Sequence, residues 1–249
     1  MIKANYHTHT QFCDGKSTAE EMVTAAINAG LETLGFSGHS HTPFDESYCM
    51  TKEKTAEYKA EIARLKEKYA DKINILCGIE QDFYADTTTE GYEYSIGSVH
   101  YLEFDGEYVP VDEGTEKHVR AAQKYLNGDI YAFAEKYYET VALVAEKTGC
   151  DIIGHFDLIV KYNERDNVYD ENNPRYIAAW QKAADRLLKS GKPFEINTGA
   201  IARGARSIPY PSKDIIAYIK EHGGRLILSS DCHAADKITC AFDECEKLL

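Results

Sequence analysis

The stretch Arg225-Leu226-Ile227-Leu228-Ser229-Ser230-Asp231-Cys232-His233 reads as a short apolar strand that stops at a carboxylate and an imidazole two residues apart. Residues i and i+2 of a strand point to the same face, so Asp231 and His233 can aim at one point. The same figure occurs twice more, where a run ending at Tyr6 meets His7-Thr8-His9 and where Thr33-Leu34-Gly35-Phe36-Ser37-Gly38 meets His39-Ser40-His41. Paired ligand types at the ends of three separated strands predict one metal site assembled from distant parts of a fold.

Working outward, short apolar segments alternate with helical patterns along most of the 249 residues. Strands are expected at 3–8, 33–38, 73–83, 95–101, 150–156, 193–198 and 225–231. Helices are expected at 18–29, 52–70, 129–148, 173–190, 212–222 and 236–248. Ser17-Thr18-Ala19-Glu20-Glu21 carries the hydroxyl and acids of a helix start, and glycines such as Gly149 suit helix ends. The alternation predicts a parallel α/β architecture, either a barrel or a doubly wound sheet. Phe104-Asp105-Gly106-Glu107-Tyr108 reads as a hairpin within a loop decoration at 101–118. No linker rich in Pro, Gly or Ser interrupts the chain, so residues 1–249 read as one domain.

Single ligand types at the ends of other strands complete the pattern: Glu80, His100 and His155, beside His7, His9, His39, Asp231 and His233. All are expected at the C-terminal ends of parallel strands, where α/β barrels build active sites. Imidazole and carboxylate suit zinc, manganese and iron. There are more ligands than one tetrahedral ion requires, which implies two or three divalent ions sharing a bridging carboxylate. Glu80 and Asp231 each have two oxygens for that purpose. His41 precedes Thr42-Pro43, where the chain turns, and reads as substrate-facing or supporting rather than ligating. His118 and His222 fall on helices among charged neighbours and read as solvated. Cys77, Cys150 and Cys232 read as packed, as do the rings of Tyr137-Tyr138.

Composition narrows the partners. A formal net charge of −13 argues against nucleic acid, whose backbone needs clustered Lys and Arg. Seven scattered cysteines without a Cys-x-x-Cys pair imply reduced thiols and a cytoplasmic protein. No apolar run approaches bilayer length, so no membrane partner is expected. The sequence is silent on oligomeric state.

At these same residues the chain resembles the polymerase-and-histidinol-phosphatase (PHP) family of metal-dependent phosphoesterases. The resemblance runs through His7-Thr8-His9-Thr10, Gly35-Phe36-Ser37-Gly38-His39, Gly78-Ile79-Glu80, Gly97-Ser98-Val99-His100, Gly154-His155-Phe156-Asp157 and Ser230-Asp231-Cys232-His233. Within that family, Ile96–Tyr101 and Glu195-Ile196-Asn197-Thr198, followed by Arg203 and Pro209-Tyr210-Pro211, are similar to histidinol-phosphate phosphatases. The resemblance implies a distorted (β/α)7 barrel with a trinuclear site. It implies that His7, His9, Glu80 and Asp231 hold one ion. Glu80, His100 and His155 would hold a second, and His39, His233 and Asp14 a third.

The expected reaction is hydrolysis of a small phosphate monoester, L-histidinol phosphate, within histidine biosynthesis. A hydroxide bridging two ions would attack phosphorus while the ions neutralise phosphoryl oxygens. Glu80, Asp231 and His233 are the expected catalytic groups, and Asp231, His233 and His41 the candidates for protonating the leaving oxygen. Arg203, with Arg206 as its neighbour, offers a guanidinium fork for phosphate. The 101–118 insertion and the loop at Phe44-Asp45-Glu46 are expected to face the organic moiety. Competing expectations are a nucleotide or sugar phosphate as substrate and a non-catalytic metal-binding module. An amide or lactone hydrolase is a third, with Lys161 the only basic residue close behind a ligand motif.

Overall fold

Seven short strands, all parallel, lie side by side in the order β1 (Ala4–Asn5), β2 (Thr33–Phe36), β3 (Asn74–Asp82), β4 (Tyr94–Ser98), β7 (Ile152–Ile153), β8 (Phe194–Asn197) and β9 (Leu226–Ser229). The structure, a computed structural model, describes residues 2–249. Between β4 and β7 the chain inserts an antiparallel hairpin, β5 (Tyr101–Phe104) and β6 (Glu107–Pro110). Its turn is Asp105-Gly106, both at positive φ, as a two-residue hairpin requires.

β1 and β9 approach each other without forming a ladder. One bridge joins Thr8 to Cys232, through a bond from His9 N to Cys232 O of 2.9 Å. Below it the Asn5 side chain takes over. Its Nδ2 donates to Ser230 Oγ at 2.7 Å and to Ile238 O at 2.9 Å, and its Oδ1 accepts from Ser230 N at 3.1 Å. The sheet therefore closes, irregularly, into a distorted (β/α)7 barrel.

Strand alternation sets what fills the barrel. Residues 78, 80 and 82 of β3 share a face, as do 94, 96 and 98 of β4, and the register pairs Gly78 with Tyr94, Glu80 with Ile96 and Asp82 with Ser98. Tyr94 lies where side chains at residues 78 and 35 would be. A Cβ on Gly78 would sit 2.3 Å from its ring, and one on Gly35 2.3 Å from its hydroxyl. With Ile96 and Ile152, Tyr94 forms an apolar floor against which Tyr6, Leu76 and Ile227 pack. Polar side chains begin one layer above it.

The outer layer follows the expected helices with three differences. Ala19–Asn28 starts with a capping box between Thr18 and Glu21, and Lys52–Lys68, Pro174–Leu188 and Lys213–Glu221 lie where the periodicity placed them. The helix expected over 129–148 breaks at Ala142-Leu143, where a tight turn from Leu143 N to Thr140 O lets Val144–Thr148 pack on β4. The helix expected over 236–248 is three single turns, interrupted at Ala241, whose φ of 57° no α-helix accommodates. Thr115–Tyr125, which carries His118, is a helix outside the expected ranges and starts inside the 101–118 decoration.

His118, on that helix, corrects a second expectation, because it is fully buried rather than solvated. Its Nε2–H donates to Val111 O at 2.9 Å, its Nδ1 faces the Tyr169 hydroxyl at 3.1 Å, and its ring stacks on Phe133. Burial holds its pKa down, at about 4. His222 is exposed, as expected, and Tyr137, Tyr138, Cys150 and Cys232 are buried, while Cys77 is only half-buried. All seven cysteines are free.

Candidate metal centre

Glu80 stands at the middle of five imidazoles. Its Oε2 lies 3.2 Å from His7 Nε2, 3.4 Å from His9 Nε2 and 2.8 Å from His39 Nδ1. Its Oε1 lies 2.8 Å from His155 Nε2 and 3.4 Å from His100 Nε2, and accepts from Ser98 Oγ at 2.6 Å. All six residues except His39 are less than 7% exposed, and His39 is 8% exposed. The side chains come from five strands or the turns just beyond them, at the C-terminal mouth of the barrel.

Asp231 forms the second focus. Its Oδ1 is 3.2 Å from His9 Nε2 and 3.7 Å from both His7 Nε2 and His233 Nδ1, while its Oδ2 accepts from Arg203 Nη2 at 2.9 Å. The strand ends at Ser229, and Asp231 has a φ of 47°. So Asp231 and His233 converge through a left-handed turn, not through the strand alternation expected of them. Asp14 completes a third group, with Oδ1 3.6 Å from His39 Nε2 and Oδ2 3.2 Å from His233 Nε2. Ligand atoms within 4.8 Å of one another are shared by His9, Asp14, His39 and His233, by His7, His9 and Glu80, and by His39, Glu80 and His100.

The hydrogen bonding fits divalent cations. His7 Nδ1–H donates to Glu195 Oε1 at 2.7 Å, so that in the neutral ring Nε2 turns its lone pair toward Glu80 Oε2. His7 Nε2, His9 Nε2 and Glu80 Oε2 are all buried without a hydrogen-bond partner. Buried acceptors facing each other need a cation between them. Carboxylates behind the rings fix tautomer and orientation in the way metal-ligating histidines use: Glu195 behind His7, and Asp82 behind His100 Nδ1 at 3.1 Å.

Electrostatics agree. Burial works against charge on His7, yet Glu195, Glu80 and Asp231 raise its pKa well above the ordinary value. Against the same opposition from burial, Glu80 and Asp82 lift His100 to about 9. Burial and the neighbouring His39 and His233 push His9 down to about 3. Burial would raise the Glu80 carboxyl, but His39, His7 and His100 hold it far below the carboxylate range. Protons on these rings occupy the role that cations would take.

The mouth opens into a cavity of about 190 Å³. Its walls carry Arg203, His233, Tyr48, Tyr101, Asp112 and Lys161. The 101–118 insertion thus faces the site, as expected, through Tyr101 and Asp112. From the 44–46 loop, Asp45 accepts from the Tyr101 hydroxyl at 2.6 Å. His41 is held between Asp86 Oδ1 at 2.6 Å and Glu46 Oε1 at 2.9 Å, outside the cavity lining. Arg206 is also outside it, buried against Asp157 at 3.6 Å with its guanidinium over the Tyr210 ring. Lys161 bonds Asp112 at 2.8 Å.

Glu195, Asp82 and Ser98 were not identified as site residues from sequence. Glu80-x-Asp82 and Glu195-x-Asn197 carry the same two-residue spacing as the histidine pairs, which is the signal that points to them.

A family model described as the PHP domain matches residues 5–199. A Schizosaccharomyces pombe protein named "Probable histidinol-phosphatase" is 28% identical over 93% of this chain and 81% of its own length. A Listeria monocytogenes crystal structure superimposes with a TM-score of 0.82 at 20% identity, over 97% of this chain and 99% of that one. The Lactococcus lactis histidinol phosphate phosphatase, solved with zinc, L-histidinol and phosphate, superimposes with a TM-score of 0.76 at 23% identity, over 99% of this chain and 92% of that one.

Proposed function

The chain belongs to the PHP domain family, and from that premise we propose that it is a metal-dependent phosphomonoesterase hydrolysing L-histidinol phosphate to L-histidinol and phosphate. The observation that carries this reading is the convergence of five imidazoles on Glu80, beside Asp231 and the Arg203 guanidinium, at one barrel mouth. The name of the S. pombe relative and the ligands in the L. lactis structure support the choice of substrate.

His7, His9, Asp14, His39, Glu80, His100, His155, Asp231 and His233 are the residues that would hold two or three divalent ions. Such ions, when bound, supply Lewis acidity that polarises phosphoryl oxygens and acidifies water. Glu80, which faces five imidazoles through its two oxygens, and Asp231, which faces three through Oδ1, would each supply donor oxygens to more than one group of ligands. Glu195 and Asp82 keep the His7 and His100 rings aimed inward.

Arg203 takes a phosphoryl oxygen. One nitrogen of its fork is anchored on Asp231 Oδ2, so little side-chain freedom is lost when the substrate arrives. Arg206 is committed to Asp157 and leaves this role to Arg203. The leaving oxygen is protonated from the Asp231–His233 side of the cavity, because His41 has both ring nitrogens engaged elsewhere.

The test is turnover of L-histidinol phosphate beside a panel of nucleotides and sugar phosphates, with metal content measured in the same preparation. Histidinol phosphate should show the highest kcat/KM. A nucleotide or sugar phosphate turned over more efficiently would overturn the substrate assignment, and turnover surviving metal removal would overturn the metal dependence.

A further inference from the structure

The arginine that stays out of the cavity shares one short loop with the arginine that lines it. After β8 the chain makes a single helical turn, Gly199–Ala202, capped by Arg203. Gly204, at a φ of 68°, reverses the backbone, and Ala205 N and Arg206 N return to Ala200 O at 2.9 and 3.4 Å. Arg203 reaches out to Asp231 and His233. Arg206 turns inward, with Nη1 3.6 Å from Asp157 Oδ2 and both side chains no more than 1% exposed. Its guanidinium covers the Tyr210 ring at 5.0 Å. The far end of the loop is tied to the same carboxylate. Tyr210 exchanges backbone hydrogen bonds with Asn197 at 2.7 and 2.9 Å, and Ser212 N then donates to Asp157 Oδ2 at 2.9 Å. Between these points Ser207 is held on Glu164 through N and Oγ, at 2.8 and 3.0 Å.

A buried ion pair is a weak means of stabilising a fold, because desolvating both charges offsets most of their attraction, and apolar residues of similar volume often serve as well. What apolar residues do not supply is direction. The guanidinium plane on Tyr210 and its charge on Asp157 together set where the loop stands. Arg203 depends on that placement, since its fork must meet Asp231 Oδ2 at 2.9 Å and His233 Nδ1 at 3.0 Å. The fork has little slack: a Cβ on Gly199 would stand 2.6 Å from Asp231 Oδ2 and 2.7 Å from Arg203 Nη2. A small shift of the loop would carry the fork off its carboxylate.

We infer that Arg206 is a positioning residue: paired with Asp157 behind the cavity, it fixes the loop that carries Arg203, and so governs phosphate affinity without touching phosphate. This rests on the reading of the cavity as a phosphomonoesterase site. It deepens that reading by assigning the phosphate-contacting arginine a support of its own, outside the cavity lining.

The probe is inorganic phosphate, titrated calorimetrically into the metal-loaded protein, so that binding is read without turnover. The D157N/R206M double variant removes both charges together, keeps an acceptor for Ser212 N and leaves no buried ion unpaired. It should keep the wild-type metal content, and its phosphate Kd should rise about tenfold, as for a lost charge-assisted hydrogen bond. Arg206→Lys keeps a cation opposite Asp157, so it folds even where the double variant does not. It should raise the Kd about threefold, because an ammonium retains the charge but not the plane. Both rises should shrink below about twofold in an Arg203→Met background, since residues acting as one unit are not additive. A merely structural role would weaken binding by the same factor with and without Arg203. That result, or an unchanged Kd in the variants that fold, would overturn the proposal. If the Kd follows Arg206 and L-histidinol phosphate is not hydrolysed, only the substrate named above fails. If L-histidinol phosphate is hydrolysed and the Kd is indifferent to Arg206, only the positioning role fails. A metal-loaded wild type that binds no phosphate overturns both.

Discussion

Glu195 Oε1 lies 2.7 Å from His7 Nδ1, and the other oxygen of the same carboxylate accepts from His155 N at 3.0 Å and from Asn197 Nδ2 at 2.9 Å. One buried side chain thereby orients a ring, a neighbouring backbone turn and an amide. Glu195→Gln keeps the shape but weakens the hold on the His7 tautomer. Metal affinity should fall by about 10- to 100-fold, read from chelator competition, with the far-UV circular dichroism unchanged. Wild-type affinity in the variant would show that Glu195 serves packing alone.

Removing metal has two expected consequences. Activity should vanish on dialysis against a chelator and return with zinc or manganese, and the thermal midpoint should drop because ions bind only the folded chain. His7, His39 and His100 all have raised pKa values in the bare cluster, so reloading must expel protons. The apparent binding enthalpy should therefore change with the ionisation enthalpy of the buffer. Identical enthalpies in phosphate-free buffers of different ionisation heat would contradict the protonated cluster.

Arg203 places Nη2 2.9 Å from Asp231 Oδ2 and Nη1 3.0 Å from His233 Nδ1. Lysine cannot reproduce that fork. Arg203→Lys should lower kcat/KM by about 10- to 100-fold, the range for a lost charge-assisted hydrogen bond, with metal content retained. A variant as active as the wild type would remove Arg203 from phosphate binding.

His118 gives the protein a built-in acid sensitivity outside the site. Its folded pKa of about 4 lies below the 6.5 of a free imidazole. Below pH 6.5 the unfolded chain takes up a proton that the native chain refuses, so stability is full above 6.5 and declines as pH falls toward 4. The loss should reach about 2 kcal/mol by pH 5. It is measured as the difference between wild type and His118→Gln in urea unfolding at pH 7 and pH 5, which should narrow by that amount. A constant difference would place the His118 pKa elsewhere.

Gly78 is required by the barrel floor. A Cβ there would approach the Tyr94 ring to 2.3 Å, against a ring wedged between strands. Gly78→Ala should cost about 1–3 kcal/mol as overpacking, and Tyr94→Leu in the same chain should recover part of it. Thermal denaturation of the single and double variants separates these outcomes.

Much of this arrangement was legible because strand periodicity and ligand chemistry coincide. His7, His9, His39, Glu80, His100, His155 and Asp231 all sit where apolar runs stop, and six of the seven strands lie within the ranges expected, with the fourth starting one residue early at Tyr94. What escaped reading depended on tertiary surroundings. His118 looks like a surface residue until the hairpin and Tyr169 close over it. Asp231 and His233 look like a strand pair, but the left-handed turn that aims them leaves no periodic trace. Arg206 sits on a polar loop by composition, and only its pairing with Asp157 draws it inward.

The seam between β1 and β9, stitched by Asn5 to Ser230, joins residues 225 positions apart in the chain. His7 and His9 stand on one side of it, Asp231 and His233 on the other. During synthesis the first pair leaves the ribosome long before the second, and for all that interval half of the cluster has no counterpart. Two of the ligand groups, that of His7, His9 and Glu80 and that of His39, Glu80 and His100, are encoded within the first hundred residues, whereas the group of His9, Asp14, His39 and His233 waits for the last strand. The order of synthesis thus separates the donors of one cluster into an early set and a late one.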